Sequence, residues 1–246
     1  MPELEMKSFR SVYNSTPLHQ GSGPLLALKL TALALQQSGQ KKDMPLLIVS
    51  GPASAVAGSI KNIESMVSEK PASALRSVSL FKQAVAFSDE LSTIASLPSL
   101  ILAARNNENL LFISYTTNDQ TLVKNIPASY IATACTAYPE DYIEKIRKVL
   151  LLKGVRFIEI LCPDPKSGFD PSNAVEIGRL AVESCTWPLF EYDGVMNITK
   201  KLVRPEPVER YARAQSRYSS MTDQEIKDWQ DSASKRWKSI LEGRLY

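Results

Sequence analysis

The stretch from Tyr130 to Trp187 constrains this chain most. Two apolar runs, Tyr130–Thr133 and Val155–Leu161, are rich in β-branched and aromatic residues and bracket an amphipathic helical pattern. Strand, helix, strand in that order is a βαβ unit, which requires two parallel strands joined by a crossover. The helix has readable ends: Pro139 near its start, Glu140 and Asp141 in the first turn, Lys153 in the last and Gly154 just beyond. The second strand runs into Cys162-Pro163-Asp164-Pro165-Lys166-Ser167-Gly168, whose prolines permit neither helix nor central strand. Asp170 then reads as the N-cap of a further helix, with Pro171 at its first position. In open parallel sheets, ligands sit at the carboxyl ends of the strands. That is where any small molecule should bind.

The rest of the chain repeats the alternation. Gly21-Ser22-Gly23-Pro24 opens a helix with Leu25, Leu28, Ala32 and Leu33 on one side and Lys29 opposite. Gly39 to Asp43 is a polar turn, and Pro45–Val49 a buried strand. After that strand, Gly51 and the start of the next helix could present backbone N–H groups to an anion; a plain strand-to-helix turn fits the same residues. Ile60 to Ser77 is polar and helix-prone, broken at Pro71. Val78 to Phe87 reads as a strand ending at Ser88-Asp89-Glu90, followed by a helix from Leu91 to Asn106 in which Pro98 makes a kink or a second start. Leu110–Tyr115 is a strand ending in Thr116-Thr117-Asn118-Asp119, and Leu189–Tyr192 supplies one more. The expected fold is α/β, a parallel sheet with helices on both faces.

Residues 1–199 are expected to form this α/β domain, with an irregular arm over its first 20 residues, and 200–246 a helical tail. Thr222-Asp223-Gln224-Glu225 is a capping box, and behind it Ile226, Trp229, Ala233, Trp237 and Ile240 make a helical stripe. That stripe must bury its two tryptophans on the domain or on a partner subunit.

With 44% apolar and 22% charged residues the chain is globular rather than disordered. Its net charge of +3 is too small to argue for nucleic acid or an anionic membrane. Cys135, Cys162 and Cys185 are widely spaced, with no CxxC pair. His19 is the only histidine, so a Ser/His/Asp or Cys/His site would depend on the arm. The start, MPELEMKSFR, lacks the apolar core of a signal peptide, and Pro24–Leu35 is too short for a membrane span. The expectation is a soluble cytoplasmic protein.

One ordered set of segments carries a resemblance. AYPEDY, a Lys-rich helix, a strand ending in Cys-Pro, RLAVES and WPLFEYDG follow one another as in the β subunits of pyruvate:ferredoxin oxidoreductases, within the wider 2-oxoacid:ferredoxin oxidoreductases. The similarity runs on through Pro207-Val208-Glu209-Arg210-Tyr211 and Gln215-Ser216-Arg217-Tyr218 to the terminal helix. It covers the chain from Leu100 onward. The resemblance implies a thiamine diphosphate-binding fold, a diphosphate held through magnesium, a nearby iron–sulfur cluster and decarboxylation of a 2-oxoacid.

Against those implied sites the residues depart from the family pattern. The Gly-Asp-Gly loop of the family is matched by Ser88-Asp89-Glu90, which keeps the Asp, loses both glycines and adds a carboxylate. The family's Asp-Asn pair is matched by Thr116-Thr117, with Asn118 one residue late. Gly51, Asp89, Thr117 and Asn118 are therefore vestigial cofactor positions. The cluster motif fares alike: His19 leads into Gln20-Gly21-Ser22-Gly23-Pro24, and a Gly-Cys becomes Gly51-Pro52. Cys162 alone sits where a thiolate would, and a four-iron cluster wants four.

The leading expectation is a β-like subunit of a 2-oxoacid:ferredoxin oxidoreductase, non-catalytic, with no catalytic or metal residues and no cofactor bound by this chain. Its partners would be an α-like chain and a catalytic β-like chain. The alternative is a catalytic subunit with a rearranged site, in which Asp89 and Asn118 hold magnesium for thiamine diphosphate, Cys162 faces the substrate, and a 2-oxoacid is oxidatively decarboxylated. A third is an unrelated small-molecule module using the loops at Gly51, Asp89 and Thr116.

Overall fold

The computed structural model describes residues 21–38, 45–60, 63–79 and 83–245. His19, the arm over 1–20 and the polar turn Gly39–Asp43 lie outside them. The elements run α1 (Gly23–Ser38), β1 (Leu46–Val49), a 3₁₀ segment (Gly51–Ser59), β2 (Ser65–Val67), α2 (Pro71–Ser79), β3 (Ala84–Asp89), α3 (Glu90–Arg105) and β4 (Leu110–Thr116). Then come β5 (Tyr130–Cys135), α4 (Pro139–Leu150), β6 (Val155–Leu161), α5 (Ala174–Glu183), β7 (Phe190–Tyr192), β8 (Met196–Ile198), α6 (Val208–Arg213) and α7 (Asp223–Leu241).

One eight-stranded sheet has the order β2-β1-β3-β4-β6-β5-β7-β8. β5 and β6 pair in parallel through Tyr130↔Arg156 to Cys135↔Leu161, and α4 is their crossover, starting at Pro139. Six strands are parallel; β7 runs antiparallel to β5 and turns back into β8. The segment Leu189–Tyr192 is thus a hairpin arm, turned by Asp193 and by Gly194 at φ +101°.

Helices cover both faces, and that is why the strands read as continuous apolar runs. In β4, Leu111, Ile113 and Tyr115 point into one core with α1 and α4, while Leu110 and Phe112 join the other. That second core takes Leu75 of α2, Leu100 and Ala103 of α3, and Trp237 and Ile240 of α7. α1 is apolar almost all round and correspondingly buried; Lys29, opposite the leucines, is buried too. Burial lowers the pKa of its ammonium.

Four segments differ from the pattern reading, the first being α4, which ends at Leu150 with Arg147 and Lys148 in its last turn, short of Lys153 and Gly154. Ile60–Ser77 is not one broken helix: β2 precedes Pro71, which starts α2 as a first-turn proline. α2 continues to Ser79, so the strand begins at Ala84 rather than Val78. β2 has strand form because its backbone bonds to β1, through Leu47↔Ser65. Pro98 lies inside an uninterrupted α3. Among the described residues, no helix is long and apolar enough to cross a membrane.

Candidate functional site

The carboxyl ends of β1, β3, β4 and β6 open into one cleft of 470 Å³, lined among others by Asp89, Glu90, Thr117, Asn118, Lys166 and Arg217. Each strand delivers its residue by simple succession. β3 ends on Asp89 and α3 starts on Glu90; β4 ends on Thr116, and its loop carries Thr117, Asn118 and Asp119. β1 leads through Ser50 to Gly51, at φ +69°. The four positions singled out from sequence, Gly51, Asp89, Thr117 and Asn118, are gathered at this one end of the sheet.

Asp89 dominates the floor. A Cβ built on Gly51 would lie 2.4 Å from Asp89 Oδ1, so the carboxylate fills the space above that glycine. Asp89 Oδ1 is buried with no hydrogen-bond partner, and the side chain makes no cap bond to α3 although it stands at the N-cap. Its backbone is better served: Thr93 Oγ1 donates to the Asp89 carbonyl at 2.7 Å and approaches Ser114 Oγ at 2.9 Å, tying α3 to β3 and β4.

Glu90 folds across the cleft. Its Oε2 accepts from Thr116 Oγ1 at 3.0 Å and from Asn118 Nδ2 at 3.2 Å, while Asn118 N–H donates to Thr116 Oγ1 at 3.0 Å. Tyr115 closes the back wall. Its ring stacks on Phe87, and its hydroxyl donates to Ser50 O at 3.4 Å and accepts from Ala53 N–H at 3.2 Å. Burial pushes that phenol well above its ordinary range.

The tail supplies the remaining wall, which no local sequence signal announces. Arg217 Nη1 donates to Thr117 O at 2.9 Å and Nη2 to Tyr211 Oη at 3.2 Å; the guanidinium lies 4.6 Å from the Tyr218 ring centre. Tyr218 Oη donates to Asp119 Oδ1 at 2.7 Å. Ser216 N–H donates to Gly168 O at 2.8 Å, and the packing there is so close that a Cβ on Gly168 would meet Ser216 Oγ. The segment from Ser216 to Tyr218 is therefore a strap across the loops after β4 and β6. Trp229 of α7 packs edge-on against Tyr211 and Tyr218, with centroids at 5.8 and 5.0 Å, and steadies it.

These residues do not fit a magnesium diphosphate. The close approach that glycines give a diphosphate loop is absent: Gly51 is covered by Asp89, and Glu90 already takes the donors of Thr116 and Asn118. Among the described residues no group of three or more His, Cys, Asp and Glu could hold a metal ion. An iron–sulfur cluster does not fit either. Cys135, Cys162 and Cys185 are buried free thiols; Cys135 donates to Gly178 O and Cys162 to Ile160 O. Burial pushes Cys135 and Cys185 up to about 12 and Cys162 well above its ordinary value, against thiolate formation. Cys162 is not among the residues lining the cleft.

A second unusual carboxylate lies beneath the β4 loop. Glu159, wholly buried in β6, accepts from Leu122 N–H at 2.9 Å and from Thr121 Oγ1. Burial raises its pKa from 4.5 to about 8, with Glu90 adding to the shift and the two loop donors opposing it. Glu159 is not among the residues lining the cleft; it anchors the loop from inside.

No protein family model matches the chain. Individual relatives do. Over 113 residues, 45% of this chain and 38% of the relative, it is 40% identical to pyruvate synthase subunit PorB of Methanocaldococcus jannaschii. The figures are 43% over 108 residues (42% and 38%) for PorB of Methanothermobacter marburgensis. For ketoisovalerate oxidoreductase subunit VorB of Pyrococcus furiosus they are 34% over 126 residues (50% and 40%). The matches thus span about two-fifths of the length of these relatives. Among solved structures, a 2-oxoglutarate:ferredoxin oxidoreductase from Magnetococcus marinus aligns with a TM-score of 0.48 at 13% identity, over 68% of this chain and 78% of that one. A split-gene transketolase aligns at 0.37 and 11%, over 59% and 54%. Over about half its length, this chain is similar in sequence to pyruvate synthase subunit PorB and ketoisovalerate oxidoreductase subunit VorB.

Proposed function

We propose that this chain is a β-like subunit of a 2-oxoacid:ferredoxin oxidoreductase assembly with a structural rather than a catalytic role, its partners being an α-like chain and a catalytic β-like chain. The relationship to PorB and VorB supports the assembly. The observation that carries the structural role is how the cleft's polar groups are used, with Asp89 covering Gly51 and Glu90 taking the Thr116 and Asn118 donors. By this reading Gly51, Asp89, Thr117 and Asn118 are remnants of a cofactor site. A surface suited to a partner accompanies the loss: Leu91, Ile94, Ile101 and Leu102 stand exposed along the outer side of α3, with Leu91 on the cleft rim.

The test is reconstitution of the assembly from its co-expressed subunits, followed by 2-oxoacid-dependent ferredoxin reduction. Asp89→Ala in this chain should leave kcat within about twofold of the unaltered assembly. A loss of a hundredfold or more, the scale of a removed catalytic group, would instead establish the rearranged catalytic site. One observation favours that second reading, the placement of Asp89 and Asn118 on a single cleft. The burial of Cys162 away from the cleft counts against its substrate-facing thiol.

A further inference from the structure

We infer that Glu90 is a resident anion: its carboxylate takes the place of an incoming diphosphate at the start of α3, and this one side chain keeps magnesium diphosphates out of the cleft. The inference deepens the structural role proposed above and rests on it.

The first residue of a 16-residue helix is a place where negative charge is favoured, because the free N–H groups and the helix dipole both face it. Here the chain fills that place itself. Glu90 Oε2 collects Thr116 Oγ1 at 3.0 Å and Asn118 Nδ2 at 3.2 Å, two of the side-chain donors that the end of β4 and its loop offer. A diphosphate arriving at the same point would find its donors committed and a carboxylate in its volume. It would also meet the buried, unpartnered Oδ1 of Asp89 one residue away. The cations of the cleft do not offset this. Arg217 Nη1 and Nη2 are engaged with Thr117 O and Tyr211 Oη and its plane with the Tyr218 ring, its Nε is buried without a hydrogen-bond partner, and Lys166 stands exposed at the rim.

The arrangement also ties the β4 loop to the start of α3. In this chain the contact between α3 and the β4 loop runs through Glu90, where a bound anion would otherwise bridge them. Glu90 is thus a positioning residue.

The experiment is calorimetric titration of the full chain with inorganic diphosphate and with thiamine diphosphate, each with magnesium, using the unaltered protein, Glu90→Gly and Glu90→Gln. Circular dichroism checks that each variant is folded. The unaltered chain should show no saturable binding up to about 1 mM ligand, the weak end of specific association. Glu90→Gly should bind both ligands at least tenfold tighter. Glu90→Gln, which keeps an acceptor for Thr116 and Asn118 but no charge, should gain at least threefold and decides the matter if the glycine variant unfolds. A folded Glu90→Gly or Glu90→Gln that binds no better than the unaltered chain overturns the inference and leaves the structural role standing. Saturable binding of thiamine diphosphate by the unaltered chain overturns both.

Discussion

Gly51 and Glu159 illustrate how single residues near the cleft are held. Gly51 sits at φ +69°, a region L side chains rarely adopt, under a carboxylate 2.4 Å from where its Cβ would be. Gly51→Ala should therefore lower stability by roughly 1–3 kcal/mol, by backbone strain and by displacing Asp89; denaturant melts measure it. Glu159 has a folded pKa raised from 4.5 to about 8. Between those values the folded state holds a proton that the unfolded chain has lost, so stability falls as pH rises through this window and levels off above it. Glu159→Gln mimics the protonated form. Its stability relative to the unaltered chain should improve steadily from pH 5 to pH 8, by at most about 4–5 kcal/mol; a flat difference across urea melts at those pH values would refute it. Of these two residues, Gly51 was marked by its place after a strand. Glu159 carried no signal, since a lone acid in an apolar run shows nothing of the loop donors that will reach it.

At the scale of elements, local rules account for what local rules can reach. The α7 capping box forms as its residues suggest, with Thr222 Oγ1 accepting from Glu225 N–H and Glu225 Oε2 from Thr222 N–H. Thr222→Ala should cost about 1 kcal/mol, read as a lower melting temperature. The strap is different. Arg217 reaches Thr117 across a hundred residues of chain, and Tyr218 reaches Asp119 across nearly as many. Arg217→Ala combined with Tyr218→Phe should free the loop after β4, raising hydrogen exchange at the amides of 117–119 at least tenfold while the β5 and β6 amides stay protected. Likewise α3 shows little amphipathic character in sequence, and only the packing shows that Leu100 and Ala103 face the sheet while Ile94 and Leu102 face outward. Ile94→Glu with Leu102→Glu should leave the isolated chain folded and abolish its incorporation into a co-expressed assembly; full incorporation on size-exclusion chromatography would show the partner sits elsewhere.

For the whole molecule, the first and last described helices pack on opposite faces of the sheet. α1 lies on one face beside α4, joined by Thr31 Oγ1 and Tyr142 Oη at 2.7 Å; α7 lies on the other, where Trp237 and Ile240 belong to the same core as residues of α2, α3 and the β7–β8 hairpin. Removing α7 should therefore destabilise the sheet itself: Trp237→Ala alone is expected to cost roughly 3–5 kcal/mol, visible as one cooperative transition shifted to lower denaturant. The sequence by itself determined the βαβ unit, the helix starts at Pro139 and Thr222, the Asp170 cap (which closes a 3₁₀ turn over Pro171–Asn173 ahead of α5), and the place where Gly51, Asp89, Thr117 and Asn118 would meet, because periodicity, caps and the strand-end rule act over a few residues. Only the tertiary structure decided that β7 turns antiparallel, that Lys29 is buried, that Arg217 straps the cleft, that Asp89 covers Gly51, and that Glu90 takes the donors of Thr116 and Asn118. Those outcomes depend on which distant groups come within bonding distance, and spacing along a chain carries no measure of that.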